Sequence, residues 1–230
     1  DQKTRAQAAD WPNYRGQAKH LFSGLPAESH TMDPIVTRRI EFWRQNLQDH
    51  SPSLQHRHES YALRACHLAV DAARVGTYGV GALLFDGAGR VIVEGHNRVR
   101  VGGFQSDLHA EMVVMNEYEA TGRPREEAGE CTLVTSLEPC PMCMARLIVA
   151  GIGTVLYLAD DYVGGMVSRL HNLPPTFRNI IQSQGQVWET ADCSDELRAV
   201  AQGIWMESRE HISRGRSVLM GSGAKRIAAL

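Results

Sequence analysis

The chain has 230 residues, of which 43% are hydrophobic and 22% charged, and its formal net charge is −2. This composition is typical of a globular protein with an ample core, and it excludes a small scaffold that depends on disulfides. The charge balance argues against a mainly nucleic-acid partner unless a local basic patch is present. No run of 18 apolar residues occurs, which excludes a transmembrane helix and a membrane partner.

The five cysteines are irregularly spaced, which is not typical of a disulfide framework. If Cys140 and Cys143 bind a metal, an odd set of three remains, namely Cys66, Cys131 and Cys193. Such a remainder favours a reducing compartment, so a cytoplasmic location is expected. The chain begins at Asp1 without methionine, and a removed leader is also compatible with the sequence.

Residues 1–55 are expected to form an N-terminal extension with one amphipathic helix. Asp33 and Pro34 give a helix start, with aspartate as the cap and proline in the first position. Apolar residues then recur about every 3.6 positions as far as Gln48, whereas residues 1–32 are predicted to be an irregular arm. Packing or subunit contact is the expected role of this extension, and substrate gating is the alternative.

Residues 56–212 are expected to form one domain, and residues 213–230 a tail that is either mobile or adds a modest basic surface. Apolar periodicity and turn residues predict strands and helices that alternate along the domain. The predicted helices are Tyr61–Val75, Leu108–Ala120, Cys140–Ala150, Val167–Asn172, Thr176–Gln182 and Asp195–Ile212. The predicted strands are Gly81–Phe85, Arg90–Gly95, Cys131–Ser136, Thr154–Ala159 and Gln186–Thr190. This order predicts an α/β fold, a three-layer α/β/α domain with a five-stranded mixed sheet.

Two short motifs supply chemistry: His109-Ala110-Glu111 and Cys140-Pro141-Met142-Cys143. Together they offer three ligands for zinc, and catalytic zinc sites have three protein ligands and leave a fourth position for water. The two cysteines are three residues apart, so their sulfurs share one face of a helix. Proline suits the first position of that helix, and the positive helix end favours the thiolate that binds metal.

Glu111 lies two residues after His109, about 200° around a regular helix. The two side chains could hardly bind one metal from such a helix, so Glu111 is predicted to reach a water on the metal instead. The alternative for Glu111 is a solvated helix carboxylate or cap. The alternative for each ligand is a buried structural residue.

The two motifs resemble the signature of zinc deaminases. The chain resembles the cytidine-deaminase-like superfamily, and within it small cytosine, guanine and tRNA-adenosine deaminases. The likeness runs from Ala62 to about Ile181 and includes the segment Glu94–Asn97 and Thr135–Glu138 before the cysteine pair. The absence of an insertion between the two cysteines separates the chain from riboflavin-pathway deaminases. Leu108 departs from tRNA-type enzymes, which have a small residue before the histidine.

The resemblance implies one Zn²⁺ per chain and a hydrolytic deamination in which one glutamate moves the protons. The residues that it implies are His109, Cys140 and Cys143 as metal ligands, Glu111 as proton shuttle and Asn97 as a substrate contact. A turn role is the alternative for Asn97. We expect Glu138 to support a loop. Asp160 or Asp161, which follow the fourth strand, can bind an exocyclic amine, although this is the less favoured interpretation of them. Phe104 or Tyr162 can stack on a base, and each is equally expected to be core or loop structure.

The first expected function is deamination of a small aminated nucleobase or nucleoside-like heterocycle of the cytosine or guanine type. The second is deamination of adenosine in tRNA, which the segment Leu137–Cys143 favours and the net charge does not. The third is a non-catalytic zinc-binding interaction protein, which has no use for Glu111. The resemblance also implies a homodimer.

Overall fold

In the computed structural model, residues 33–220 are described, with side chains through residue 214. The arm predicted for residues 1–32 and the last ten residues of the predicted tail lie outside the described part. Within it are six α-helices: α1 (Pro34–Asp49), α2 (Glu59–Arg74), α3 (Ala110–Ala120), α4 (Pro141–Ala150), α5 (Pro175–Gln184) and α6 (Asp195–Met220). The described strands are β1 (Gly81–Phe85), β2 (Val91–His96), β3 (Thr132–Leu137), β4 (Thr154–Ala159) and β5 (Val187–Thr190). Two 3₁₀ helices span Arg125–Glu130 and Val167–Asn172.

The five strands form one mixed sheet in the order β2-β1-β3-β4-β5. The strands β2, β1 and β3 pair antiparallel, and β3, β4 and β5 pair parallel. The expected α/β fold with a five-stranded mixed sheet is confirmed. Strand β1 is buried along its whole length, as expected for a strand covered on both faces.

Helices cover both faces of the sheet. At Gly81 a Cβ atom would lie 2.7 Å from the backbone nitrogen of Ala69, so α2 approaches β1 as closely as backbone allows. At Gly95 a Cβ atom would lie 2.8 Å from Val113, which places α3 on the other face. Tyr157 packs with Met144 of α4, and α6 contacts β3 and β4 beside α2. The sheet is therefore the middle layer, with α3 and α4 together on one side.

The helix predicted in the N-terminal extension forms and packs on the domain. The Asp33 side chain accepts the Ile35 backbone N–H at 2.8 Å, and Pro34 occupies the first turn, as predicted. Val36, Ile40 and Leu47 are buried where α1 contacts α2 and α6. Arg39 donates two hydrogen bonds of 3.0 Å to Glu207 of α6. None of the described helices is both long and apolar enough to cross a membrane.

Three local features differ from the sequence-based expectation. Helix α3 begins at Ala110, because His109 has extended backbone angles (φ −64°, ψ 158°) and is the cap. Helix α6 continues to Met220 rather than ending near Ile212, so residues 213–220 of the predicted tail prolong a helix. Arg214 in this added stretch forms an ion pair with Glu210 in the preceding turn. The 3₁₀ helix Arg125–Glu130 was not predicted.

Candidate metal centre and active site

Two helix starts bring the three candidate ligands together. His109 caps α3 and Cys140 caps α4, while Cys143 lies in the first turn of α4. The Cys140 sulfur is 3.7 Å from the Cys143 sulfur and 3.7 Å from His109 Nδ1. With Zn–S near 2.3 Å and Zn–N near 2.0 Å, a tetrahedral ion requires an S···S separation of about 3.8 Å and an S···N separation of about 3.5 Å. The donor set and its spacing therefore fit one zinc ion.

The electrostatics of the two thiols differ. The contact with Cys143 lowers the pKa of the Cys140 thiol to about 4, with burial opposing and the hydrogen bond to His109 assisting. The same sulfur–sulfur contact, followed by burial, raises the pKa of the Cys143 thiol well above its usual value. The hydrogen bond to Cys140 raises the pKa of His109. Cys140 is thus the sulfur already suited to bind a cation as thiolate.

Glu111 lies next to this cluster and is 4% exposed. Its Oε2 atom is 3.5 Å from the Cys143 sulfur. The ligand atoms of His109, Cys140 and Cys143 all lie within 4.8 Å of one another, and Glu111 is not part of this group. Burial, and then the charge of Cys140, raises the pKa of Glu111 to about 7.

The helical-wheel angle used to separate His109 from Glu111 is wrong for this chain, because His109 lies outside the helix. The histidine is delivered by extended backbone and the glutamate by the first turn of α3. Glu111 is nevertheless offset from the three ligand atoms, as the sequence predicted.

Asn97 follows β2 and is 3% exposed. Its Oδ1 atom accepts the Thr77 hydroxyl at 2.7 Å and the Val99 backbone N–H at 3.0 Å. Among the described residues no hydrogen bond from its Nδ2 group is found. The sequence suggested an amide that both donates and accepts; here the acceptor is already used twice, so Asn97 offers a donor. Thr77, which fixes this orientation, was missed because a lone threonine in a helix-to-strand turn carries no sequence signal.

Glu138 anchors the loop 160–168, as predicted. It is 3% exposed, and its two carboxylate oxygens accept the backbone N–H groups of Ser168 at 2.8 Å and Asp161 at 3.2 Å. The Pro139 carbonyl accepts the Met166 N–H at 3.0 Å. The loop is therefore attached to the two residues that directly precede Cys140.

The other candidates have more ordinary surroundings. Asp161 Oδ1 accepts the backbone N–H groups of Val163 and Gly164, so it closes a turn. Asp160 accepts the Tyr162 hydroxyl at 3.3 Å. Phe104 and Tyr162 are 69% and 77% exposed, which excludes core packing for both side chains. Cys66, Cys131 and Cys193 are buried free thiols.

The site lies inside a region with a known family description. A family model for the cytidine and deoxycytidylate deaminase zinc-binding region matches residues 55–159. A tRNA-specific adenosine deaminase from Bacillus subtilis is 36% identical over 116 residues, which are 50% of this chain and 70% of that protein. A guanine deaminase from Bacillus subtilis is 31% identical over 104 residues, covering 45% of this chain and 65% of that protein.

Two further comparisons concern a longer protein and a solved structure. A tRNA(Ile)-lysidine synthase from Deinococcus radiodurans is 34% identical over 109 residues, 47% of this chain, and the chain spans only 18% of that relative. A solved structure from studies of A-to-I editing by tRNA:A34 deaminases has a TM-score of 0.50 at 26% identity. That likeness covers 63% of this chain and 99% of the other. The similarity thus extends from sequence to the arrangement of the sheet and its helices.

Proposed function

The chain belongs to the cytidine and deoxycytidylate deaminase zinc-binding family, and from that membership we propose that it is a hydrolytic deaminase of a small aminated nucleobase or nucleoside-like heterocycle. The proposed substrates are of the cytosine or guanine type, and the products are ammonia and the corresponding carbonyl compound. The single observation that carries the proposal is the buried carboxylate of Glu111 beside a three-ligand cluster. A purely structural zinc site has four protein ligands and needs no such carboxylate.

We assign His109 Nδ1 and the sulfurs of Cys140 and Cys143 as the ligands of one Zn²⁺. Their spacing and chemistry fit a tetrahedral ion with one position left for a non-protein ligand. When bound, zinc supplies a Lewis acid that makes water nucleophilic near neutral pH.

Glu111 moves the protons of the reaction. Its carboxylate takes one proton from the attacking water and gives it to a ring nitrogen. It then takes the second proton from the hydroxyl group added to the ring carbon and gives it to the leaving amine, so that ammonia leaves and the carbonyl forms. A general base and acid works best when its pKa lies near the working pH. Burial acts in that direction on Glu111, while a bound cation acts in the opposite one.

Asn97 orients the substrate as a hydrogen-bond donor. Because Thr77 and Val99 occupy its carbonyl oxygen, its Nδ2 group is matched to an acceptor, such as a ring nitrogen or a carbonyl oxygen. Cytosine and guanine carry both kinds of acceptor. A substrate without an acceptor at that edge would leave this buried donor unpaired, at a cost of about 1–3 kcal/mol.

Deamination of adenosine in tRNA is the second candidate. The 36% identity to a tRNA-specific adenosine deaminase favours it. Arg98 and Arg100 also favour it, because they lie in the segment between Asn97 and His109. Neither forms an ion pair within residues 33–214, so their charges are free to contact phosphate groups. An RNA substrate requires several phosphate contacts and a steep dependence on salt, and the net charge of −2 is unfavourable for it. A non-catalytic zinc-binding interaction protein is the third candidate.

Ammonia release from the zinc-loaded protein tests these candidates. The panel contains cytosine, guanine, adenine, their nucleosides and a tRNA anticodon stem-loop, with Glu111→Ala as the matched control. Turnover of a small compound, lost in the control, supports the proposal. Turnover of the RNA alone, weakened by added salt, supports the second candidate. If no member of the panel releases ammonia while zinc is bound, the substrate is an amine outside the panel or the chain is a zinc-binding interaction protein. The molar mass of the same sample, measured by light scattering during gel filtration, tests whether the chain forms the expected homodimer.

A further inference from the structure

One arginine of α4 holds α3 at several points. Arg146 Nη1 donates to Asn116 Oδ1 at 2.7 Å and to the Met112 carbonyl at 3.4 Å. Its Nη2 donates to Glu119 Oε2 at 2.9 Å. The three acceptors follow one another at spacings of four and three residues, so they line one face of α3. The rigid fork of the guanidinium suits such a set of acceptors.

This contact between α3 and α4 lies about one helical turn from the candidate metal centre. Arg146 is three residues after Cys143, on the same face of α4. Met112, whose carbonyl it reaches, directly follows Glu111 in α3. The metal cluster is divided between the same two helices, because His109 and Glu111 come from the start of α3 and the two cysteines from the start of α4. The separation of α3 and α4 therefore determines the separation of the two halves of the site.

We propose that Arg146 is a positioning residue of the metal centre. By fixing α3 against α4, it holds His109 and Glu111 at the distance from Cys140 and Cys143 that one tetrahedral ion requires. The inference rests on the proposed function only in taking that ion to be Zn²⁺, and it makes no use of the substrate. This role also explains why a cationic residue stands in the middle of α4 although the Arg146 side chain is only 21% exposed.

The test is the affinity of the full chain for zinc, measured by competition with a chromogenic chelator. In Arg146→Met we expect an affinity about 10-fold lower, the lower end of the effect of residues that support metal ligands. The matched control is Arg39→Met, which removes another Arg–Glu contact between two helices, α1 and α6, away from the cluster. The control should lose thermal stability and keep its zinc affinity.

Cobalt replacing zinc gives a second readout that a merely structural role would not move. The absorption bands of Co²⁺ report the geometry of its ligands, so they should shift in Arg146→Met and stay unchanged in Arg39→Met. Arg146→Lys should recover part of the affinity, because an ammonium keeps a charged donor for Glu119 or Asn116 but lacks the planar fork that spans all three acceptors. If Arg146→Met does not fold, Asn116→Ala removes the shortest of the three contacts and should lower zinc affinity several-fold.

Unchanged zinc affinity and an unchanged cobalt spectrum in Arg146→Met, or in Asn116→Ala if that variant replaces it, would overturn the proposal. Equal losses of affinity in Arg146→Met and Arg39→Met would also overturn it, since they would show a general effect of stability. Metal binding is measured without turnover. A protein that binds zinc but releases no ammonia would therefore contradict the proposed function. The role of Arg146 would still be decided separately, by the zinc affinity and cobalt spectrum of its variants.

Discussion

At the residue scale, Glu111 is a carboxylate that the fold keeps away from water. It is 4% exposed, and its Oε2 atom lies 3.5 Å from the Cys143 sulfur. Within residues 33–214 no ion pair joins it to an arginine or lysine. Burying an unpaired carboxylate is costly, and it commonly marks a functional site. The arrangement makes sense if the carboxylate serves chemistry at the metal rather than stability.

Glu111→Gln therefore separates chemistry from metal binding. The substitution keeps size and shape but removes the base, so ammonia release should fall by about 10²–10⁴-fold. Zinc content, measured by elemental analysis, should stay at that of the parent chain, because the three ligands are untouched. Thermal stability should not fall, since an uncharged amide is easier to bury. Activity near that of the parent would contradict the proposed proton shuttle.

Residue identities at the site were easier to predict than their orientations. The identities of His109, Cys140 and Cys143 as one cluster follow from residue chemistry and motif spacing. The offset of Glu111 was argued from a helical angle that does not apply, because His109 precedes α3. The direction of the Asn97 amide does not, because it depends on Thr77, twenty residues earlier in the chain. The Arg146 contact joins residues about thirty positions apart. Contacts of this length depend on the packing of α3 and α4, which a single sequence does not display.

At the scale of elements, loop 160–168 has a glycine where a side chain would collide with its anchor. A Cβ atom at Gly165 would overlap the Glu138 carboxylate and lie 2.7 Å from the Asp161 carbonyl. The two loop N–H groups that Glu138 holds are close to this point. The glycine is thus required by close approach.

Gly165→Ala should release this loop. We expect faster hydrogen exchange at the Asp161 and Ser168 amides and a lower kcat/KM for any turned-over substrate, with zinc still bound. Gly129→Ala is the control, since nothing lies within 4 Å of its added methyl group. Exchange rates in Gly165→Ala equal to those of the control would show that the anchor tolerates the methyl group.

Gly203 of α6 lies where α1 packs closely against α6. A Cβ atom at Gly203 would lie 2.8 Å from Trp43 Cε2 of α1. Gly203→Ala should cost about 1–3 kcal/mol through overpacking, of which better helix propensity returns about 1 kcal/mol. Urea unfolding should therefore show a net loss of up to about 2 kcal/mol. In a Trp43→Leu background, where the ring is gone, the same change should be neutral or stabilising; a loss of equal size there would place the strain elsewhere.

Regular elements were predicted where local signals were strong. The strands Gly81–Phe85 and Thr154–Ala159 have the predicted bounds, and so does the start of α1 at Pro34. The start of α3 was misplaced because the apolar pattern continues through His109, whose backbone is extended. The end of α6 was misplaced because residues 213–217 are polar or glycine and interrupt the apolar pattern, although a helix can continue on ion pairs.

At the scale of the whole molecule, the residues that join α1 to α2 are tied to the segment before α6. The backbone N–H of Asp192 donates to His58 Nδ1 at 3.0 Å, and the N–H of Ser194 donates to Glu59 Oε2 at 2.7 Å. His50 Nε2 lies 2.9 Å from the other oxygen of Glu59. His58 and Glu59 are both buried. Parts of the chain more than 130 residues apart in sequence thus share one polar cluster.

This cluster predicts a dependence of stability on pH. Burial, and then Arg57, lowers the pKa of His58 below its usual 6.5, although Asp192 and Glu189 oppose the shift. At His58 the unfolded chain therefore binds more protons than the folded one as pH falls from about 6.5, so the contribution of this histidine to stability must fall with pH. The raised pKa of Glu111 acts in the opposite direction over the same range. A proton on Nδ1 would also remove the acceptor that Asp192 uses. Burial acts to raise the pKa of Glu59, but its hydrogen bonds with Ser194 and His50 together outweigh burial and lower it. The hydrogen bond with His56 lowers the pKa of Asp192, so both carboxylates stay ionised in this window.

Urea midpoints measured between pH 7.5 and 5.5 test this reading with a pair of histidine variants. His58→Asn keeps an acceptor for the Asp192 N–H but cannot titrate, so its midpoint should fall less steeply towards pH 5.5 than that of the parent chain. Some slope should remain, because burial also lowers the pKa of His67. His171→Asn, at an exposed position, should leave the parent slope intact. If His58→Asn and the parent have equal slopes, the acid sensitivity arises outside this cluster, and the connection between α1, α2 and α6 does not depend on a neutral histidine.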